Sequence, residues 1–208
     1  MTATTGDRVW QRLPQGWIEF RAFGDRTPDE WLEWYLASGE GWLPDEARTA
    51  IVGGFRAGVA AFAGTDFDFA GVSLTAGERP AASFLCTNVV RAAPGVDVPS
   101  TPFHRLFPLV RFGEEAGAET FTAPDGRVGT VASGRLLTGG IPNVATVGEL
   151  LLPDEGGTVL VMGMCSDPSQ RAELALLTAF VLSTTQVLPE GAEPALPVID
   201  SGAAQRTA

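Results

Sequence analysis

Twice between Ala118 and Met164 the chain sets a cluster of turn-forming residues between two strand-like apolar runs. No other feature restricts the fold as much. The first unit reads AETFTAPDGRVGTVASGRLL, with its reversal at Ala123–Arg127, and the second reads VATVGELLLPDEGGTVLVMGM, with its reversal at Pro153–Gly157. Proline presets one backbone angle of a tight turn and glycine supplies conformations that other residues resist, while the flanking β-branched residues suit a pleated chain. Consecutive hairpins pair antiparallel, so a sheet of at least four strands is predicted here. Two earlier runs, FDFAGVSLT and AASFLCTNVVRA, are separated by AGERP and predict two further strands in a mixed or antiparallel continuation. Upstream, RVWQRLPQGWIEF predicts a short strand, a turn around Pro14 and Gly16, and a strand from Trp17 to about Ala22.

Three segments carry helix signals instead. In RTPDEWLEWYLASGEGW, Thr27 is placed to accept from exposed backbone amides, Pro28 suits the first helical position and Glu30 completes a capping box. Trp31, Trp34, Tyr35 and Ser38 follow at helical spacing, predicting an aromatic stripe on one face, and Gly39 and Gly41 end the helix. A second helix is predicted over roughly residues 44–62, with Ile51, Phe55, Val59 and Phe62 in line. Gly53, Gly54 and Gly58 each weaken it by about 1 kcal/mol relative to Ala, and stand there either to admit close contact with the sheet or to mark a break into an extended segment. After the last strand, Asp167 can cap and Pro168 can open a final helix, whose Leu174, Leu177 and Val181 form an apolar stripe beside Ala175, Phe180 and Leu182. Between the two halves, VPSTPFHRLFPLVR is interrupted by prolines and reads as an irregular crossover with a short helix.

Together these elements predict one α+β domain over residues 8–188. It is an α/β/α sandwich whose central, mainly antiparallel sheet is flanked by an N-terminal helical region and a C-terminal helix. Residues 1–7 read as a flexible start, and 189–208 as a flexible tail that touches its own domain or nothing, with ALPVI its one short docking run.

The chain has 208 residues, 45% hydrophobic and 19% charged, a composition that supports a globular core. Its formal net charge is −11, from 25 acidic and 14 basic residues, and every basic residue is Arg. That field repels a phosphate backbone and the arginines are scattered, so nucleic acid and anionic membrane surfaces are not expected as partners. No run reaches the roughly 18 to 20 apolar residues of a membrane span, and the start, MTATTGDRVWQRL, has no apolar signal core. The expectation is a cytoplasmic protein without membrane insertion.

The strand-to-helix turn VMGMCSDPSQRAEL raises the question whether Cys165 or Ser166 is a nucleophile. A nucleophile elbow needs small residues on both sides of the reactive one; Gly163 precedes Cys165, but Asp167 occupies the place of the second glycine. A base is also needed, and the one histidine, His104, sits in the crossover with nothing in the sequence to bring it to Cys165. Cys165 is therefore expected to be an inert thiol at a buried strand end, and His104 a loop residue. Cys86 and Cys165 lack metal-type spacing; buried thiols are expected, with a bridge between neighbouring strands left open. Asp66 and Asp68 alternate with Phe67 and Phe69, which on a strand puts both acids on one face. That is either a carboxylate pair for acid–base or calcium chemistry or the polar side of an edge strand. SGRLLTGG matches no phosphate-binding pattern, and one histidine with dispersed acids makes no metal centre. No catalytic residue, cofactor or metal is assigned.

Trp10, Trp17, Trp31, Trp34 and Trp42, with Tyr35, fall in the first fifth of the chain, and most are expected in the core. An exposed member of Trp31, Trp34 and Trp42, among Glu30, Glu33 and Glu40, would make a protein-binding anchor, because an aromatic ring offers much apolar contact for little rotamer entropy. With LPQGW at Leu13–Trp17 and the closing GTVLVMGMCSDPSQRAELALLTAFVLSTTQ, the order of strands, helix, antiparallel meander and closing helix resembles the Mog1/PsbP-like group over about residues 9–188. That group includes actinobacterial members of unknown or accessory function. The resemblance implies an α/β/α sandwich serving as a partner-binding or assembly-accessory module, with no common catalytic triad and no site that transfers residue by residue. The sequence thus points to a non-enzymatic adaptor or accessory protein that binds a protein partner, in the assembly or secretion of a larger complex. The alternative is a carrier of a small hydrophobic ligand or lipid; a hydrolase, which needs convergent polar side chains, ranks third.

Overall fold

The computed structural model describes residues 8–20, 25–38, 44–62, 67–75, 81–91, 117–136, 143–152 and 157–195. The first half supplies β1 (Arg8–Trp10), β2 (Trp17–Glu19), α1 (Pro28–Ser38), α2 (Asp45–Phe62), β3 (Phe69–Thr75) and β4 (Ala81–Arg91). The second supplies β5 (Gly117–Thr122), β6 (Val128–Leu136), β7 (Asn143–Leu152), β8 (Gly157–Cys165), a single 3-10 turn (Pro168–Gln170), α3 (Arg171–Thr184) and β9 (Gln186–Leu188). Seven strands form one sheet in the order β2-β3-β4-β8-β7-β6-β5, with every neighbouring pair antiparallel. The two predicted hairpins are β5–β6 and β7–β8, and the first reverses through Gly126 at φ +86°, a left-handed value that glycine adopts without a Cβ clash. The earlier strand pair joins them through β4 and β8, from Ser83 opposite Cys165 to Arg91 opposite Gly157. β1 lies outside this sheet and pairs with β9, a strand the sequence pattern does not announce.

The protein is therefore a mixed α+β structure, with α1 and α2 on one face of a large antiparallel sheet and α3 on the other. Alternation along the strands sorts the core. Val72, Ala82, Phe84 and Cys86 pack with Trp31, Leu32, Leu36, Ile51 and Phe55 of α1 and α2. Leu85, Leu150, Val159 and Val161 pack instead with Val181 and Leu182 of α3. The same alternation decides the open question about the thiols. Cys86 faces α1 and α2, whereas Cys165 belongs to the cluster under Leu174 of α3. Cys86 stands opposite Met162, so Cys165 is three residues further along β8, about 10 Å away. Both cysteines are buried and free, and a bridge between them is ruled out.

The capping box at α1 forms as expected. Glu30 accepts from the Thr27 backbone N–H (2.7 Å) while the Glu30 N–H donates to Thr27 Oγ1 (3.3 Å). The Thr27 N–H bond first, and then a donation from Thr27 Oγ1 to the same carboxylate (2.9 Å), hold the Glu30 carboxyl below its usual range. The buried face differs from the predicted aromatic stripe. Trp31, Leu32 and Leu36 are buried and Tyr35 half-buried, while Trp34 is 53% exposed. The helix turns about 100° per residue, and pointing Leu32 and Leu36 inward beside Trp31 carries Trp34 outward. Trp31 stacks between Tyr35 (5.3 Å between centroids) and Phe55 of α2 (5.7 Å). Gly39 and Gly41, the expected stops, lie outside the described residues.

The glycines of α2 separate into two kinds. Nothing lies within 4 Å of a Cβ placed on Gly53. A Cβ on Gly54 would stand 2.9 Å from Ala82 Cβ, and one on Gly58 only 2.0 Å from Cζ of Phe84. So Gly54 and Gly58 let α2 lie directly on β4, and the helix is unbroken. The buried stripe of α3 also shifts from the prediction: Leu174, Thr178, Val181 and Leu182 are buried, whereas Phe180 is 40% exposed. Residues 189–195 stay attached to the domain, with Gln186 both donating to and accepting from the backbone of Ala195 (2.7 and 3.0 Å).

Candidate functional site

The Cys165–Asp167 turn is built for structure. Ser166 continues the β4–β8 pairing past the end of β8: its N–H donates to the Ala82 carbonyl (3.1 Å) and its Oγ accepts from the Ala82 N–H (3.0 Å). Asp167 caps the 3-10 turn, with Oδ1 accepting from Ser169 N–H (2.9 Å) and Ser169 Oγ (2.8 Å). Cys165 Sγ donates to Gln170 Oε1 (3.5 Å) and accepts from the Asp167 N–H (3.4 Å). Burial pushes its thiol up, against the hydrogen bonds from Ser83 and Asp167. Burial pushes the Cys86 thiol up to about 12. Neither thiol is presented as a thiolate, which is the nucleophilic form.

Asp68 does not lie on a strand. It precedes β3, and its Oδ2 accepts from the Val89 N–H of β4 (2.7 Å), capping the ladder where β3 begins. Asp66 and His104 lie outside the described residues. Among the described residues no group of three or more His, Cys, Asp and Glu side chains converges on a point that could hold a metal ion. No described helix is long and apolar enough to cross a membrane. Of the three tryptophans considered as anchors, Trp31 is a core residue, Trp34 is exposed with the Arg26 guanidinium 5.3 Å above its ring, and Trp42 lies outside the described residues.

An opening lies elsewhere, between α3 and the β5–β6 hairpin. Two arginines tie β6 to α3. Arg171, which opens the helix, donates to Ser133 Oγ (3.0 Å) and to the Ser133 carbonyl (3.1 Å). Arg127, in the β5–β6 turn, donates through Nη1 and Nη2 to the Thr185 carbonyl (3.2 Å each), at the helix end where a cation also suits the dipole. Asp125 holds that guanidinium through Nε (2.7 Å). The two spans match: six strand residues from Arg127 to Ser133 cover about 20 Å, and fourteen helical residues from Arg171 to Thr185 cover about 21 Å.

Beside the Arg171–Ser133 tether lies a groove of about 630 Å³. Glu119, Phe121, Val131 and Ser133 line it from the sheet, and Ala172, Ala175 and Ala179 from the helix. Leu176 stands on its rim, 72% exposed. The space exists because α3 is drawn down over β7 and β8. A Cβ on Gly148 would meet Leu182 Cδ1 at 2.4 Å, and one on Gly163 would meet Leu174 Cδ1 at 3.1 Å. Seated there, the helix turns the short side chains of Ala172, Ala175 and Ala179 toward the outer strands, beside Arg171 and Leu176. Sequence reading missed this site. Its one local signal was the alanine series at positions 172, 175 and 179 beside Leu176, at helical spacing; nothing in the sequence connects Arg127 with Thr185.

A second apolar strip crosses the opposite face. Val90 and Leu151 flank Thr158 on adjacent strands, and continuing the β6–β7 register brings Val128 opposite Leu151. Those three apolar residues are about half exposed. Beside the strip, Glu149 stands opposite Leu160 and Thr130, and partial burial raises its carboxyl above the ordinary range.

No protein-family model matches the chain, and no curated protein matches it. Among solved structures, the chain is similar to LpqN, described as involved in cell envelope biogenesis of Mycobacterium tuberculosis. The match covers 89% of this chain and 87% of that one, at 11% sequence identity and a TM-score of 0.45. It is a weak likeness of layout that spans most of both chains.

Proposed function

We propose that this protein is a non-enzymatic adaptor or accessory module that binds a protein partner through the groove between α3 and the β5–β6 hairpin. The observation that carries the reading is a preformed, largely apolar groove beside the Arg171–Ser133 tether, with a 72% exposed leucine on its rim. Large apolar side chains beside a concave surface mark interaction sites on soluble proteins. The non-catalytic part draws support from the reactive side chains themselves. Cys165, Ser166 and Asp68 are engaged in strand-end and turn bonds, and burial disfavours both thiolates.

The test is site-specific photo-crosslinking in the native cell. A benzophenone side chain at position 176 captures a defined partner, the same group at position 151 on the opposite face does not, and Leu176→Asp abolishes co-purification without lowering the unfolding midpoint. Equal capture from both positions, or a partner retained by Leu176→Asp, refutes the reading. The groove's volume also favours a second reading, a carrier of a small hydrophobic ligand, since it exceeds the ~300 Å³ lower bound of small-molecule pockets. Native mass spectrometry of the purified protein decides it: an apolar molecule retained by the wild type and lost in Ala175→Trp supports a carrier, and bare protein in both counts against one.

A further inference from the structure

We propose that β5 takes up an extended segment of the partner protein as an added antiparallel strand, with a basic side chain opposite Glu119 and apolar side chains entering the groove. This inference rests on the protein-binding reading above and specifies the partner's chemistry. β5 is the last strand of the sheet, and among the described residues nothing pairs with its outer side. The hydrogen-bond phase of the hairpin shows which groups that side offers. The Ala123 N–H donates to the Arg127 carbonyl (2.8 Å), which makes Ala123 and Arg127 a hydrogen-bonded pair. Such pairs recur at every second residue of an antiparallel ladder. Phe121, Glu119 and Gly117 therefore direct their backbone groups to β6, and the N–H and C=O of Ala118, Thr120 and Thr122 point outward.

Three further features choose the occupant. β5 has six residues, an extended edge of about 20 Å, long enough to pair with a segment of six to seven residues. Phe121 and Glu119 line the groove, so residues of an added strand opposite them share that face, in the closer, non-hydrogen-bonded kind of pair. An apolar residue suits the place opposite Phe121, a large ring the place opposite Gly117, and Lys or Arg the place opposite Glu119. Charge acts in the same direction. A chain of net charge −11 draws a basic segment and repels a second copy of itself.

The probe is a capped heptapeptide that alternates threonine with valine, lysine and phenylalanine, in that order from its N-terminus. Its control carries glutamate in place of lysine. Fluorescence anisotropy with the full chain should show salt-sensitive binding of the lysine peptide and roughly tenfold weaker binding of the control. Glu119→Lys should reverse that preference. Thr120→Pro removes an outward donor without touching the β5–β6 ladder, and should abolish binding while the protein stays folded. Hydrogen exchange should slow at the amides of Ala118, Thr120 and Thr122 when the lysine peptide is bound. The inference is overturned if both peptides bind equally, if neither binds at millimolar concentration, or if folded Thr120→Pro binds as well as wild type. Should Thr120→Pro fail to fold, the peptide preference of Glu119→Lys decides: reversal supports strand addition, and an unchanged preference overturns it. A partner that crosslinks at position 176 and is still held by Thr120→Pro overturns strand addition alone and leaves the protein-binding reading standing.

Discussion

Replacing Gly58 and Gly53 by alanine, two changes in one helix, should move stability in opposite directions. Each gains about 1 kcal/mol of helix propensity. At Gly53, exposed and with nothing within 4 Å of the new Cβ, that gain is the whole effect, and Tm should rise by about 2–4 °C. At Gly58 the new Cβ would fall 2.0, 2.1 and 2.3 Å from three atoms of the Phe84 ring. Carbon atoms in contact rest about 3.5–4.0 Å apart, so helix and ring must separate by roughly 1.5 Å. Phe84 is 1% exposed and has nowhere to go. Overpacking of this kind costs about 1–3 kcal/mol, and overlap with one whole edge of the ring puts it in the upper part of that range. After the propensity gain, Gly58→Ala should destabilise by about 1–2 kcal/mol, lowering Tm by roughly 2–8 °C. Urea unfolding followed by tryptophan emission reads both variants, because Trp31 is buried against Phe55. Phe84→Leu provides an internal check: the double variant with Gly58→Ala should be more stable than the two single losses sum to, by more than about 0.5 kcal/mol. If Gly58→Ala stabilises as much as Gly53→Ala, α2 does not lie on β4 and the layer order is wrong.

The buried hydroxyl pair beneath α3 should respond asymmetrically. Thr178 Oγ1 donates to the Leu174 carbonyl (2.8 Å), so the 2.6 Å contact is a donation from Thr146 to Thr178. Thr178→Val strands the Thr146 hydroxyl and should cost about 1–3 kcal/mol, whereas Thr146→Val should cost about 0.5–1.5 kcal/mol, both read from urea midpoints. The cysteines should resist iodoacetamide at mildly alkaline pH in the folded protein and both alkylate in urea, with intact mass as readout, since burial raises both thiols and Cys86 to about 12. For Glu149, the folded carboxyl keeps its proton above the ordinary value of 4.5, at pH values where the unfolded one has lost it. Stability therefore falls as pH rises from 4.5 through the raised value, and Glu149→Gln should flatten that part of the pH profile of the urea midpoint.

What could be read from the sequence was what short-range chemistry dictates. The hairpins were legible because proline–glycine turns and β-branched runs act within a few residues, and the start of α1 because Thr27, Pro28 and Glu30 form a local unit. The buried face of α1 was not, because the wheel carries apolar residues nearly all round and only Phe55 of α2 decides that Trp31, and not Trp34, is stacked inward. Asp68 misled for a similar reason. Alternation with phenylalanines suggested a strand, but β3 begins one residue later and the carboxylate serves the Val89 amide, 21 positions away. The separation of Cys86 from Cys165 needed the β4–β8 register. The groove was the least legible, since it is defined by where side chains are small and by Arg171, which bonds to Ser133, 38 positions away in the chain.

The two faces of the sheet are closed differently, and the difference bears on the proposed binding site. Under α1 and α2 the contact is closed by complementary extremes: Gly58 against the ring of Phe84, and Trp31 stacked between Tyr35 and Phe55. Under α3 the glycines lie in the sheet, at 148 and 163, so the helix sinks over β7 and β8, while its flank over β5 and β6 carries alanine at 172, 175 and 179. Larger residues at those three positions would fill the space and bury more apolar surface, at about 25 cal/mol per Å². A helix that keeps short side chains there, while bonded to the β5–β6 hairpin by Arg127 and Arg171, forgoes that stabilisation. On the proposed reading the groove receives a side chain from the partner, and filling it by Ala175→Leu should raise the urea midpoint while weakening partner capture.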